Sequence, residues 1–404
     1  MPLLLSLAAR NLLRNARRTA ITSVSVVAGV MVLIVGQGLV DGLDENIIRA
    51  QEDALSGELL LTPEGYPTDG LTLPLDEAKP VDAGLEAALS GPEVTAWAPR
   101  IFSFGRLVVG SDSVRARVLG YDPEADPKVF PRSNWTLEGA WPTDGASLVV
   151  GSGLATLLDL HVGAPVAIEA RTRAGALNAS LFTVSGVLRS RVPALDAGTV
   201  LVPMATADEL LRTEGARSAI AVRVKGGRDR ADAVKASVQV PGWRAQTATE
   251  AVADLLEINT IRRRAISFVV FILMAISATG IANTVIMATY ERIREIGTLR
   301  AMGMGPASVR LLFLLEGAAT GLVAGAVGAA LGAVTVAHFA AVGIDLSNAE
   351  GLGEQPVSTI LYMHYSWAPV LLSLLFGAVV AVLASLYPAH LAANMNPADA
   401  VRAD

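Results

Sequence analysis

The sequence predicts an α-helical membrane protein with four transmembrane helices and a large α+β domain inserted between helices 1 and 2. Three observations predict it. The chain of 404 residues is 52% hydrophobic and only 17% charged, against about 25% charged in average soluble domains; its mean hydropathy is +0.48. Its apolar residues are gathered into four long uncharged blocks. Between the first two blocks, residues 41–264 have the mixed composition of a folded domain, including Trp97, Trp135, Trp141 and Trp243. This pattern excludes a disordered chain. The net charge of −6 offers no general basic surface, so no nucleic-acid partner is expected. With no cysteine there is no disulfide framework, thiolate metal site or cysteine nucleophile. His161, His338, His364 and His390 stand far apart, and no metal site is expected.

The first element is a short segment, 1–18, carrying Arg10, Arg14, Arg17 and Arg18, followed by a span at 19–40. Its uncharged stretch exceeds a signal-peptide core of roughly 7–15 residues, and no Ala-x-Ala cleavage site precedes Asp41, so an uncleaved anchor is expected. The other spans are 265–290, 309–342 and 367–388, the last expected to stop at Pro388. At about 1.5 Å per residue, even the shortest crosses the hydrocarbon core of about 30 Å. Arginine placement puts both termini and the 291–308 connection on the cytoplasmic side, with Arg292, Arg294, Arg300, Arg310 and Arg402 there. The opposite connection, 343–366, has Asp345, Glu350 and Glu354 but no Lys or Arg. Arg262, Arg263 and Arg264 oppose this orientation, and the second span must begin after them.

Within 41–264, strand signals recur at 57–61, 101–109, 113–120, 147–150, 165–170, 180–188, 199–202 and 219–225. Arg115-Ala-Arg-Val-Leu and Ala221-Val-Arg-Val-Lys alternate as half-buried strands do. Helical patterns at 153–160, 205–212 and 228–238 fall between them. Thr247 and Glu250 form a Thr-x-x-Glu capping box, and no proline follows before Gly297. The spacing therefore predicts one helix from 248 to 296, whose part outside the membrane, 248–264, is a stalk; a break near Arg262 is the alternative.

The connection 291–308 is the most informative short segment. Glu291, Arg292, Arg294, Glu295 and Arg300 flank Ile296, Leu299 and Met302, which recur every three residues as an apolar ridge suited to a partner's groove; a solvated loop that merely enforces topology is the alternative, and the one the residues alone favour. Gly297 lies within the segment, and the turn at Gly303–Pro306 restarts the chain as the third span. In that span Gly317, Gly321, Gly325, Gly328 and Gly332 form a smooth stripe expected to pack against another helix of the subunit or of a dimer. Glu316, one turn in, either acts in function or pairs with Arg310. Asn283 is expected to act as helix–helix glue, and Asn396-Pro-Ala-Asp399 to cap a short helix in the tail 389–404. For an acyl chain, the candidate cavity is lined by Leu39, Leu43 and Ile47 on one helix and Ile258, Ile261 and Phe268 on the other; mutual packing of these residues is the alternative.

Glu291-Arg-Ile-Arg-Glu-Ile-Gly-Thr-Leu-Arg-Ala-Met-Gly303, Glu316-Gly317, and Tyr387-Pro-Ala-His-Leu-Ala-Ala followed by Asn396-Pro-Ala-Asp-Ala-Val-Arg402 closely resemble the FtsX/MacB/LolE superfamily of ABC-transporter permeases. Val118-Leu-Gly-Tyr-Asp-Pro-Glu124, Val149-Val-Gly-Ser-Gly-Leu-Ala155 and Phe182-Thr-Val-Ser-Gly-Val-Leu188 look like the MacB-like periplasmic core domain. The resemblance implies a non-catalytic subunit of the bacterial inner membrane that pairs with a second permease subunit, as a homodimer or heterodimer. It implies that segment 291–303 is a coupling helix seated on a cytoplasmic ABC ATPase dimer. ATP and Mg would be bound by that partner and no cofactor by this chain, which has no Gly-x-x-x-x-Gly-Lys-Ser/Thr. Force from the ATPase would perform work in the periplasm. Release of lipoproteins to a periplasmic carrier is the leading reading; efflux of amphiphiles or peptides with an adaptor, or signalling to a cell-wall hydrolase, are the alternatives. Lolc-type relatives grip the carrier with a hairpin at the place of Arg171–Ala179, which here is too short for a full hook and favours the LolE type or a homodimeric relative.

Overall fold

The computed structural model describes residues 16–67, 72–143, 145–190, 192–291, 293–345 and 360–394. In chain order, α1 is Ala16–Gln51, extended by a π-helical turn Glu52–Ser56, and β1 is Leu59–Pro63. Then come β2 Lys79–Pro80, α2 Ala83–Leu89, β3 Val94–Val109, β4 Asp112–Tyr121, α3 Asp126–Val129 and β5 Thr136–Gly139. They are followed by β6 Ser147–Gly151, α4 Ser152–Leu157, β7 Pro165–Arg171, β8 Leu177–Arg189, α5 Pro193–Asp196, β9 Thr199–Pro203 and α6 Met204–Leu211. Next are β10 Ala216–Arg217, β11 Ala219–Val224, α7 Arg228–Ser237, β12 Trp243–Thr247 and α8 Ala248–Ala251. The chain ends with α9 Ala253–Glu291, α10 Ile293–Ala301, α11 Pro306–Val342, β13 Ile344–Asp345, β14 Ile360–Leu361 and α12 Trp367–Ala393.

Two compact units result: Met1–Leu43, Glu257–Ile344 and Tyr362–Asp404 in one, Asp44–Leu256 and Asp345–Leu361 in the other. The boundaries lie a few residues from positions 40 and 264, because α1 and α9 continue beyond the last uncharged residue.

In the sheet unit, β3 is the organising strand. Its second half pairs with β4 and β7, and the pairings β4–β9, β9–β6, β6–β8 and β8–β7 close the ladder into a six-stranded barrel. Alternation sends Leu107, Val118, Val150, Ile168, Val184 and Val200 inward, where each is fully buried. The first half of β3 pairs with β11, which continues through β1 to the edge strand β12. That sheet is covered by Leu85 and Leu89 of α2 and Ala231 and Val234 of α7. One long strand thus serves two cores. The β7–β8 connection is a tight turn, with the amide of Thr172 donating to Ala176 O and that of Gly175 to Thr172 O.

In the helical unit, four helices among the described residues, counting the first with its π-turn, are long and apolar enough to cross a membrane. α12 does not stop at Pro388: the proline lies inside the helix, which runs on to Ala393. Loss of one amide donor is tolerated there. The continuous helix from 248 to 296 is also corrected. Both hydrogen bonds of the Thr247–Glu250 capping box are present, but the box opens only the single turn α8. Val252, with φ −112°, interrupts before α9, its side chain drawn into a cluster with Ile47, Ile48 and Ala248. α9 then passes through Arg262 without a break.

Candidate functional site

The described residues joining α9 to α11 are α10, a glycine turn and a glycine cap. α10 is held by Ile296, which is 5% exposed and lies in one apolar cluster with Val285, Val309, Phe313, Ala389 and Ala392. Gly297 is buried beside it, and Met304 leans on the same cluster. Thr298 Oγ1 donates to Arg294 O at 2.9 Å, and the amide of Met302 donates to Thr298 O at 2.9 Å. Gly303, with φ +99°, turns the chain where a side chain would be strained. Gly305 then caps α11, with Pro306 in its first turn.

The apolar ridge expected of Ile296, Leu299 and Met302 is not what forms. Three helical residues fall about 60° short of a full turn, so positions 296 and 302 diverge by about 120°. Ile296 faces the interior, whereas Met302, just past α10, is 72% exposed. Of the residues expected to couple, Glu291, Arg294, Glu295, Met302 and Gly303 are exposed and Arg300 is half-buried. Arg292 and the side chain of Leu299 lie outside the described residues, as do Glu350, Glu354 and the 395–404 tail.

The glycine stripe of α11 faces two neighbours. A Cβ at Gly317 would stand 2.1 Å from Ser385 Oγ, and one at Gly321 would stand 2.5 Å from Ala381 Cβ. Gly325 meets Leu374, all three partners being on α12. Farther along, a Cβ at Gly328 would stand 2.7 Å from Val27 O and one at Gly332 would stand 3.0 Å from Ile34 Cβ, both on α1. The helical unit therefore uses the stripe for its own packing. Glu316 is half-buried beside it, and Asn283 is exposed on α9.

The six cavity residues differ in their surroundings. Leu39 packs toward the interior of the helical unit, and Leu43 is half-buried. Ile258, Ile261 and Phe268 are 51%, 64% and 64% exposed. Ile47 belongs to the sheet unit, in the cluster with Ala248 and Val252.

A second polar assembly surrounds the end of α1 within the sheet unit. Arg228, at the start of α7, donates to Glu52 through Nε at 2.6 Å and Nη2 at 2.8 Å, and to Glu45 through Nη1 at 2.7 Å. Arg223 donates through Nη1 to Glu58 at 2.8 Å and through Nε to Val129 O at 2.9 Å. Arg100, 1% exposed in β3, donates to the carbonyl of Ala54 in the π-turn and through Nε to Asp126 at 2.8 Å. Burial pushes the Glu45 carboxyl upward, but the bonds from Arg228 and Arg49 hold it below its ordinary value. Burial raises Asp53, against the opposing pull of Arg223. Sequence reasoning missed this assembly. The only local signal is the seven-residue separation of Glu45 and Glu52, two turns on one helix face; nothing near Arg228 announces its partners.

Residues 19–240 match the family model of the MacB-like periplasmic core domain, and residues 267–397 that of the FtsX-like permease C-terminal region. An ABC transporter permease of Methanocaldococcus jannaschii is 24% identical over 69% of this chain and 68% of its own length. The lipoprotein-releasing system transmembrane protein LolC of Xylella fastidiosa is 23% identical, covering 78% of this chain and 79% of that protein. The macrolide export ATP-binding/permease protein MacB of Rhodospirillum rubrum is 24% identical, covering 99% of this chain and 60% of that protein.

Proposed function

We propose a role from one premise: this chain belongs to the family of the MacB-like periplasmic core domain, carries an FtsX-like permease region, and is a membrane-embedded ABC transporter permease. Its role is to couple ATP hydrolysis by a separate cytoplasmic ATPase to work done by the sheet unit on the periplasmic side of a bacterial inner membrane. Lipoprotein release is the cargo reading we favour, because a LolC protein is among the relatives matched over most of both chains. Efflux of amphiphiles or peptides is the second reading, favoured by the match to MacB along 99% of this chain.

The observation that carries the coupling role is the two-sided character of 291–303. Ile296 and Gly297 fasten the segment to the spans, while Glu291, Arg294, Glu295 and Met302 face outward. A segment of this kind holds position under load and offers charge and a flexible thioether to a partner. The 404 residues contain no P-loop with which to bind nucleotide themselves. Co-expression with its ATPase subunit tests the role. Glu295→Lys is expected to abolish co-purification of the ATPase while membrane insertion is unchanged, and an undiminished complex would overturn the reading. Mass spectrometry of the intact complex then identifies the cargo: a bound lipoprotein supports release, and a bound adaptor supports efflux.

A further inference from the structure

We propose that Arg228 is a positioning residue that locks the end of α1 to the sheet unit, so that displacement of α1 is delivered to the sheet and not absorbed at the joint. The proposal rests on the coupling role above and names the contact through which force enters the sheet unit. Glu45 on α1 and Glu52, the first residue of the π-turn that continues it, are seven residues apart, and one guanidinium holds both through three bonds of 2.6–2.8 Å. Two anchor points separated along a helix fix its axial position and its rotation together, which one pair does not. Charge-assisted bonds of this length, bidentate at Glu52, are directional and resist shear.

The base that carries Arg228 is itself fixed. Gly226 and Gly227, at φ +91° and +70°, turn the chain sharply into α7, whose Ala231 and Val234 are buried in the core over β1 and β11. At Glu52 itself the helix widens into the π-turn, the place where an axial push would otherwise be lost. There Arg100 takes the carbonyl of Ala54 and Arg223 takes the Glu58 carboxylate just past the turn. On the other side, Ile47 and Ile48 pack against Ala248 and Val252.

Hydrogen–deuterium exchange on the full chain with its ATPase subunit tests the assignment, comparing the nucleotide-free complex with the ATP-vanadate-trapped one. In the native complex, trapping changes exchange both in α1 and in the sheet unit. Arg228→Glu is expected to keep the change in α1 and lose the change in the sheet unit. Adding Glu45→Arg together with Glu52→Arg re-forms both contacts as a pair of reversed polarity and is expected to restore it. A purely structural role lowers protection in both nucleotide states alike and leaves their difference intact. Retention of the sheet-unit difference in Arg228→Glu overturns the proposal, as does its loss without rescue by the reversed pair. Absence of any nucleotide-dependent change in the native complex overturns instead the coupling role on which the proposal rests.

Discussion

The guanidinium of Arg100 lies 2.7 Å from the carboxylate of Asp126, and each side chain is 1% exposed. Both charges have left water, and each is tolerated because of the other. Phe130 adds a ring face 3.5 Å from the guanidinium carbon, and Arg132 reaches the second carboxylate oxygen at 3.2 Å. The pair ties α3 to β3 midway along the strand shared by the two cores.

Asp126→Ala is therefore expected to destabilise the sheet unit by about 3–5 kcal/mol, because it strands Arg100 without its counter-charge. Arg100→Met is expected to cost less, since Arg132 still neutralises Asp126. Denaturation followed by the fluorescence of Trp97, Trp135, Trp141 and Trp243 reads the order, and equal losses from the two variants would contradict it.

The glycines of the helical unit are not equivalent. A side chain at Gly321 meets Ala381 Cβ at 2.5 Å and Gly377 O at 2.9 Å, so Gly321→Leu must part α11 from α12. Overpacking of this kind costs about 1–3 kcal/mol or more. Gly280 on α9 has no atom within 4 Å of its would-be Cβ, and Gly280→Ala should leave thermal stability in detergent unchanged or slightly raised.

Ile296 and Met302 separate fastening from recognition. Ile296→Ala removes a side chain that is 5% exposed, with an expected loss of about 2–5 kcal/mol in helical-unit stability. Met302→Asp places a charge on a site already 72% exposed, so thermal stability should stay as it was. Under the proposed coupling role, the ATPase subunit should nevertheless fail to co-purify with it. A normal yield of complex from Met302→Asp would remove Met302 from the coupling surface.

The four long apolar helices and eight of the strands could be read from the sequence because their signals are local. Uncharged runs mark Thr19–Val40 and Ala265–Tyr290, and alternation along Arg115–Leu119 marks β4. Closure of the barrel was not readable, since it depends on β4 pairing in parallel with β9 and on β7 bridging β3 and β8. β5, Thr-Leu-Glu-Gly, and β12, Trp-Arg-Ala-Gln-Thr, lack the apolar run that marks β1, β6 and β9, which are no longer than β12. In the 291–303 segment a three-residue spacing was taken for one face when it winds around the helix. Arg228 was missed because its partners are 176 and 183 positions away.

Two carboxylates near the end of α1 should respond to acid with opposite sign. Burial lifts Glu45, but the bonds from Arg228 and Arg49 outweigh it and leave its pKa below the usual 4.5. Its ionised form is thus favoured by folding, a contribution present above pH 4.5 and lost as pH falls through the lowered value. Asp53 is raised above its usual 3.8, chiefly by burial, with Arg223 at 3.8 Å offsetting only part. Its neutral form is favoured by folding, so its contribution is present below pH 3.8 and lost as pH rises through the raised value. At pH 7, Glu45→Gln should lower the melting temperature of the sheet unit and Asp53→Asn should raise it. As pH is brought down toward 4.5, the gain from Asp53→Asn should shrink first, while the loss from Glu45→Gln persists until the pH drops below 4.5. Melting curves of the full chain at half-unit pH steps distinguish the two groups, and parallel behaviour of the variants would show that the arginine bonds to Glu45 do not outweigh its burial.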